Sequence, residues 1–150
     1  APDEPAAEEA PFIFISYSHK NAGQVMDTVR QLEAWGCLLW YDEAIRPSTR
    51  FDDLIAEKIK QCAAFVAFIT TDYLQSDYCM DELFYAGNLK KERLLIRMDE
   101  QLELPPGMEM RTTRLQYIFP ERYATAEEFY QKLKETPFIR KNMQRSAQAE

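Results

Sequence analysis

Short apolar runs alternate with stretches of helical spacing along most of this chain. Phe12 to Ile15 is an unbroken apolar run ending in Ser16-Tyr17-Ser18, the composition of a strand covered on both faces and followed by a polar loop. From Asn21, a residue type suited to an N-cap, Val25, Met26, Val29, Leu32 and Trp35 recur at helical spacing until Gly36 interrupts them. Cys37 to Tyr41 reads as a second strand, Asp42 to Arg50 as a polar loop, and Phe51 to Cys62 as a second helix through Leu54, Ile55 and Ile59. Ala63 to Ile69 is a third strand, Asp72 to about Leu89 a third helix, and Leu94 to Met98 a fourth strand. The segment DEQLELPPGMEMRTTR, with two prolines and a glycine, predicts an irregular crossover. Leu115 to Phe119 is a fifth strand, and Thr125 opens a closing helix with Glu128 completing a capping box. Buried strands alternating with helices predict an α/β fold, a parallel sheet with helices on both faces and right-handed crossovers. The pattern leaves strand order open.

Composition narrows the class. A chain of 150 residues with 46% apolar content holds one core rather than two. Residues 1–11 carry three prolines and four acids with nothing large to bury and read as a disordered linker. The domain is expected over 12–140, with a fraying tail at 141–150. A net charge of −7 argues against bulk attraction to nucleic acid or an anionic membrane. No apolar run approaches the roughly 20 residues of a membrane span, and the acidic start does not resemble a signal peptide. A soluble, cytoplasmic protein is the expectation. Cys37, Cys62 and Cys79 are odd in number, lack a C-x-x-C pair and share the chain with a single histidine, His19, so buried thiols are expected rather than disulfides or a metal site.

The candidate chemistry lies in Ser76-Asp77-Tyr78-Cys79-Met80-Asp81-Glu82. Residues three and four apart share a helical face, which sets Cys79 and Tyr78 beside Glu82. A helix following a central parallel strand opens at the carboxyl edge of the sheet, where open α/β folds bind ligands. Glu82 is therefore read as a cleft carboxylate, against the common alternative of a solvated helix acid. Ser16, Tyr17, Trp40 and Asp42 leave their strands at the same edge, although a tryptophan in the position of Trp40 is more often a core residue. Cys79 reads as packing, since a nucleophilic cysteine needs a basic partner, and His19 reads as an exposed loop residue. The Lys90-Lys91-Glu92-Arg93 run reads as a helix C-terminal charge cluster. A phospho-receiver would need acids after the first strand, and a flavodoxin a phosphate-cradling loop there; SYSHKNAG supplies neither.

Four segments in order resemble the Toll/interleukin receptor (TIR) domain family. They are Phe12 to Ser18 with its closing S-Y-S, Trp40-Tyr41-Asp42-Glu43-Ala44-Ile45-Arg46-Pro47, Ile69 to Ser76, and Cys79-x-x-Glu82. The wording is similar to bacterial members. The resemblance implies a flavodoxin-like sheet of order 2-1-3-4-5 and one of two functions. Some members cleave the nicotinamide–ribose bond of NAD+, and others are scaffolds that act by TIR–TIR contact. For an enzyme it implies Glu82 as catalytic carboxylate, substrate contacts from Ser16, Tyr17, Trp40, Asp42, Arg46, Ser76, Tyr78 and Cys79, and NAD+ as substrate with no separate cofactor or metal. For assembly it implies a self-association loop carrying Asp42, Glu43, Ile45, Arg46, Pro47, Ser48 and Arg50, which in relatives often completes a neighbour's cleft and also meets other TIR proteins. The chain departs from common family wording at three places: Pro47-Ser48 stands for Pro-Gly, Tyr78 for Trp, and His19-Lys20-Asn21 where an acid is usual.

Overall fold

Every residue of the run Ala64 to Ile69 is buried, which requires cover on both faces and neighbours on both edges. The computed structural model, which describes residues 11–42 and 49–149, supplies both. The strands are β1 (Ile13–Ser16), β2 (Leu39–Trp40), β3 (Ala64–Ile69), β4 (Glu92–Arg97) and β5 (Gln116–Ile118). The helices are α1 (Ala22–Ala34), α2 (Thr49–Gln61), α3 (Thr71–Leu74), α4 (Asp77–Asn88), α5 (Pro106–Thr112), α6 (Ala126–Lys134) and α7 (Pro137–Ala149). All pairings are parallel, in the order β2-β1-β3-β4-β5. This is the flavodoxin-like order that the family resemblance implied.

Strand alternation sorts the core into two layers. Ile13, Ile15, Val66, Phe68, Leu94 and Ile96 pack with Val29 and Leu32 of α1, Phe129 and Leu133 of α6 and Ile139 of α7. Phe14, Phe65, Ala67, Ile69 and Leu95 face Ile59 of α2, Tyr73 of α3, Cys79, Leu83 and Ala86 of α4, and Met108 of α5. No helix among the described residues is long and apolar enough to cross a membrane.

The model departs from the sequence reading in four places. The single helix expected from Asp72 to Leu89 is two, because Ser76 adopts an extended backbone and its hydroxyl accepts from the Cys79 N–H, starting α4 afresh. The crossover expected to be irregular contains α5, which begins at Pro106; proline suits a first helical turn because its missing N–H has no partner there anyway. The segment after 140, expected to fray, continues α7 to Ala149. The second strand is only two residues long, and Leu38 beside it gives its N–H to the Asn142 side chain of α7 instead. Asn142 also donates to the Pro11 carbonyl, joining the start of the domain to its end. Lys91, to which the sequence assigned nothing, donates to the carbonyls of Lys60 and Cys62 and satisfies the C-terminus of α2.

Candidate active site

In this strand order the chain leaves β1 toward one edge of the sheet and β3 toward the other, so the carboxyl ends of β1 and β3 flank the switch point. Ser16 ends β1, and Thr70 follows β3 as the N-cap of α3. Asn21 joins the two exits: its side-chain oxygen accepts from the Thr70 hydroxyl at 2.6 Å, and its amide donates to Asp72 at 3.0 Å. The predicted N-cap role of Asn21 is not made, because its side chain is engaged across the switch point. With the two loops tied, α4 is delivered beside β1.

That placement sets Glu82 against Ser16. The Ser16 hydroxyl lies 2.7 Å from Glu82 Oε1 and 2.8 Å from the Tyr73 hydroxyl, which donates at 3.1 Å to the Cys79 carbonyl. Ser16 is 1% exposed and Tyr73 0%, so these two hydroxyls lie beneath the cleft, not on its wall. Burial pushes the Glu82 carboxyl up to about 8; the Ser16 hydrogen bond opposes the rise, and the charges of Asp42 and Asp81 add to it. Burial likewise pushes the Cys79 thiol up to about 12, which keeps it protonated and a poor nucleophile.

Above the cluster is a cleft of about 280 Å³ reached by Tyr17, Ser18, His19, Lys20, Asp42, Gln75, Tyr78 and Glu82. A groove of about 450 Å³ between α2 and α4 shares Asp52, Ile55, Tyr78 and Glu82 with it. The two together reach the size of small-molecule sites. The cleft lining is acidic: Asp42, Asp52, Asp72 and Glu82 stand against Lys20 and His19. His19 Nε2 is 2.9 Å from the Asp42 carbonyl and 3.7 Å from its carboxylate, and the Tyr17 hydroxyl donates to the same carbonyl at 3.1 Å. Among the described residues no group of three His, Cys, Asp or Glu side chains is placed to hold a metal ion.

A model of the TIR domain family matches residues 13–134, the greater part of the chain. The chain belongs to the TIR domain family. Comparison with curated proteins gives no match. Among solved structures, this TIR domain is similar to that of a Toll-related receptor from Hydra magnipapillata, at 18% identity and a TM-score of 0.68, covering 85% of this chain and 97% of that one. It is also similar to the CMP N-glycosidase BcmB of Clostridium botulinum, at 22% identity and a TM-score of 0.58, covering 81% and 97%. A match to the TIR domains of the activated Roq1 resistosome has a TM-score of 0.49 at 14% identity, over 94% and 86%. At these identities the likeness is one of fold.

Within the TIR domain the candidate residues fall into three groups. Tyr17, Asp42, Ser76, Tyr78, Cys79 and Glu82 line the cleft. Tyr78 is 57% exposed at the junction of cleft and groove, a position open to a ring stacking on it. Ser16 and Trp40 are not on the wall: Ser16 lies below it, and Trp40 packs on the Phe14 ring at a centroid distance of 5.2 Å. Glu43, Ile45, Arg46, Pro47 and Ser48 lie outside the described residues, as does the side chain of Arg50. The sequence reading missed Tyr73. Its signal was the pair of cap residues three positions either side, Thr70 and Ser76, which isolates Tyr73 on a single helical turn.

Proposed function

We propose that this TIR domain cleaves the nicotinamide–ribose bond of NAD+, giving nicotinamide and either ADP-ribose, when water attacks C1′, or a cyclic form, when a group of the same molecule does, with Glu82 as the catalytic carboxylate. The observation that carries this reading is the Glu82 carboxyl of α4 at the switch-point cleft, anchored by Ser16 at 2.7 Å and flanked by an open aromatic face at Tyr78. Cleavage breaks the C1′–N bond with both electrons going to the ring nitrogen, so nicotinamide leaves uncharged and the ribose gains oxocarbenium character. An ionised Glu82 stabilises that positive charge, as carboxylates do in glycoside cleavage generally. Water then bonds to C1′ and loses a proton. The fold also carries N-glycoside chemistry in the botulinum protein, by its name a CMP N-glycosidase.

The test is nicotinamide release from NAD+ at high protein concentration, comparing wild type with Glu82→Ala and Glu82→Gln. Equal rates in all three, or no release under any assembly condition, would overturn the enzymatic reading.

Self-association bears on the same site, and it is also what a non-enzymatic scaffold would rest on. Asp42 belongs both to the cleft lining and to the start of the interaction loop, so a neighbour docked on the loop stands at the cleft mouth. Arg46→Ala and Pro47→Ala are expected to reduce oligomers in sedimentation velocity while leaving the melting temperature nearly unchanged, because surface substitutions typically alter stability by less than about 0.5 kcal/mol. Unchanged sedimentation in both variants would count against this role for the loop.

A further inference from the structure

Three oxygen–oxygen contacts run in series from Glu82 Oε1 to Ser16 Oγ, from Ser16 Oγ to Tyr73 Oη, and from Tyr73 Oη to the Cys79 carbonyl. The two hydroxyls carry one proton each, while a carbonyl and a carboxylate only accept. An ionised Glu82 therefore leaves two protons for three contacts, and one pair of oxygens faces each other through lone pairs beside Ser16 and Tyr73, which are almost completely buried. A protonated Glu82 supplies the third proton. Each contact then holds one hydrogen, all pointing the same way: Glu82 to Ser16, Ser16 to Tyr73, Tyr73 to the Cys79 carbonyl.

We infer that Glu82 rests as a neutral acid at the head of this proton chain, and that Tyr73, acting through Ser16, is the positioning residue which holds it in that state until substrate displaces the proton.

The surroundings favour the same state. Tyr17, His19 and Lys20 approach from the β1 exit, Asp42 from the β2 exit, Asp52 from α2, Asp72 from α3, and Tyr78, Cys79 and Asp81 from α4. Arg93 of β4 reaches Tyr73 by its field and donates to the Leu83 carbonyl at 3.4 Å. The His19 ring is engaged on Asp42, with Nε2 2.9 Å from its carbonyl. The burial that holds the Glu82 carboxyl protonated to higher pH agrees with the proton count.

The consequence rests on the proposed cleavage of NAD+ and refines its substrate class. The reaction needs the carboxylate, so the proton must pass to solvent before the C1′–N bond breaks. A ring that is already positive, an N-ribosylpyridinium, favours that loss by its own charge against the carboxyl. A nucleotide whose base is uncharged has no such effect and leaves the neutral acid in place. The site is thus matched to cationic N-ribosyl rings in an acid-lined cleft.

The experiment is a carbon-13 titration of the glutamate side-chain carboxyls in substrate-free protein, with the Glu82 resonance assigned by its absence in Glu82→Gln. The expected wild-type midpoint is near 8, well above those of the surface glutamates. In Tyr73→Phe the chain loses its end, Ser16 has no use for its proton except the carboxylate, and the midpoint falls by about one pH unit or more. In Ser16→Ala the carboxylate loses its donor, and the midpoint does not fall. A purely packing role for Tyr73 and Ser16 would not split the two variants in this way. A wild-type midpoint in the ordinary carboxyl range overturns the inference without recourse to any variant, and so does a Tyr73→Phe midpoint equal to wild type. Because the titration needs no turnover, an inactive domain with a high midpoint overturns only the NAD+ reading, and an active one with an ordinary midpoint overturns only this inference. For an active domain, the acid limb of kcat/KM for NAD+ moves with the carbon-13 midpoint in both variants.

Discussion

Glu82→Gln is expected to remain folded and to release nicotinamide from NAD+ roughly a thousandfold more slowly than wild type, the scale found when one preorganised charge-stabilising group is removed from an enzyme site. Glutamine matches glutamate in size and reach, and it can still hydrogen-bond the Ser16 hydroxyl that lies 2.7 Å from Glu82 Oε1. What it lacks is the negative charge. If the carboxylate stabilises an oxocarbenium-like ribose, its neutral isostere should fail almost as completely as Glu82→Ala. If Glu82 only places a ribose hydroxyl by hydrogen bonding, Gln should retain much of the rate and Ala should not. Initial rates of nicotinamide release, measured for the three proteins under identical assembly conditions, separate these outcomes. A Gln variant within tenfold of wild type would remove the electrostatic role.

The same substitution is expected to have the opposite effect on stability, and the effect should depend on pH. The Glu82 carboxyl is raised from 4.5 to about 8 in the folded domain. Below pH 4.5 the carboxyl is protonated in both folded and unfolded chains and favours neither. Between pH 4.5 and about 8 the unfolded chain ionises while the folded one stays protonated, so stability falls as pH rises, and the loss is complete above the folded value. At 1.36 kcal/mol per unit of difference, the loss is on the order of 4–5 kcal/mol. Glu82→Gln does not titrate and escapes it. The gap in melting temperature between variant and wild type should therefore open by roughly 10 °C or more between pH 4 and pH 9 for a domain of this size, with Gln the more stable at the alkaline end. A gap that stays constant across this range would show that Glu82 ionises normally in the fold. Loss of turnover with gain in stability is the pattern expected where a site keeps a group the fold would not choose for itself.

How much of this was legible beforehand differs from residue to residue. The five strands and their order along the chain follow from local pattern, since burial on both faces selects unbroken apolar runs such as Ala64 to Ile69. The adjacency of Tyr78, Cys79 and Glu82 follows from helical period alone, and all three line one cleft. The division between α3 and α4 was not legible from periodicity, because the apolar spacing runs on through the break and only the extended backbone at Ser76 marks it. Trp40 could be core or cleft wall by sequence; its packing on Phe14 depends on the pairing of β1 with β2.

By itself the sequence determined the alternation of strands and helices, the cap at Thr125, and the presence of one acid on the cleft-facing side of a helix, because each is a relation among residues a few positions apart. Tertiary structure alone decided what that acid touches. Ser16 meets Tyr73 across 57 residues and Glu82 across 66, and those contacts exist only because β1 lies beside β3 in parallel register, with Ser16 opposite Ala67. The proton count that sets the state of Glu82 depends on Glu82 and Tyr73 each lying within 3 Å of the Ser16 hydroxyl, and no pattern along the chain records it.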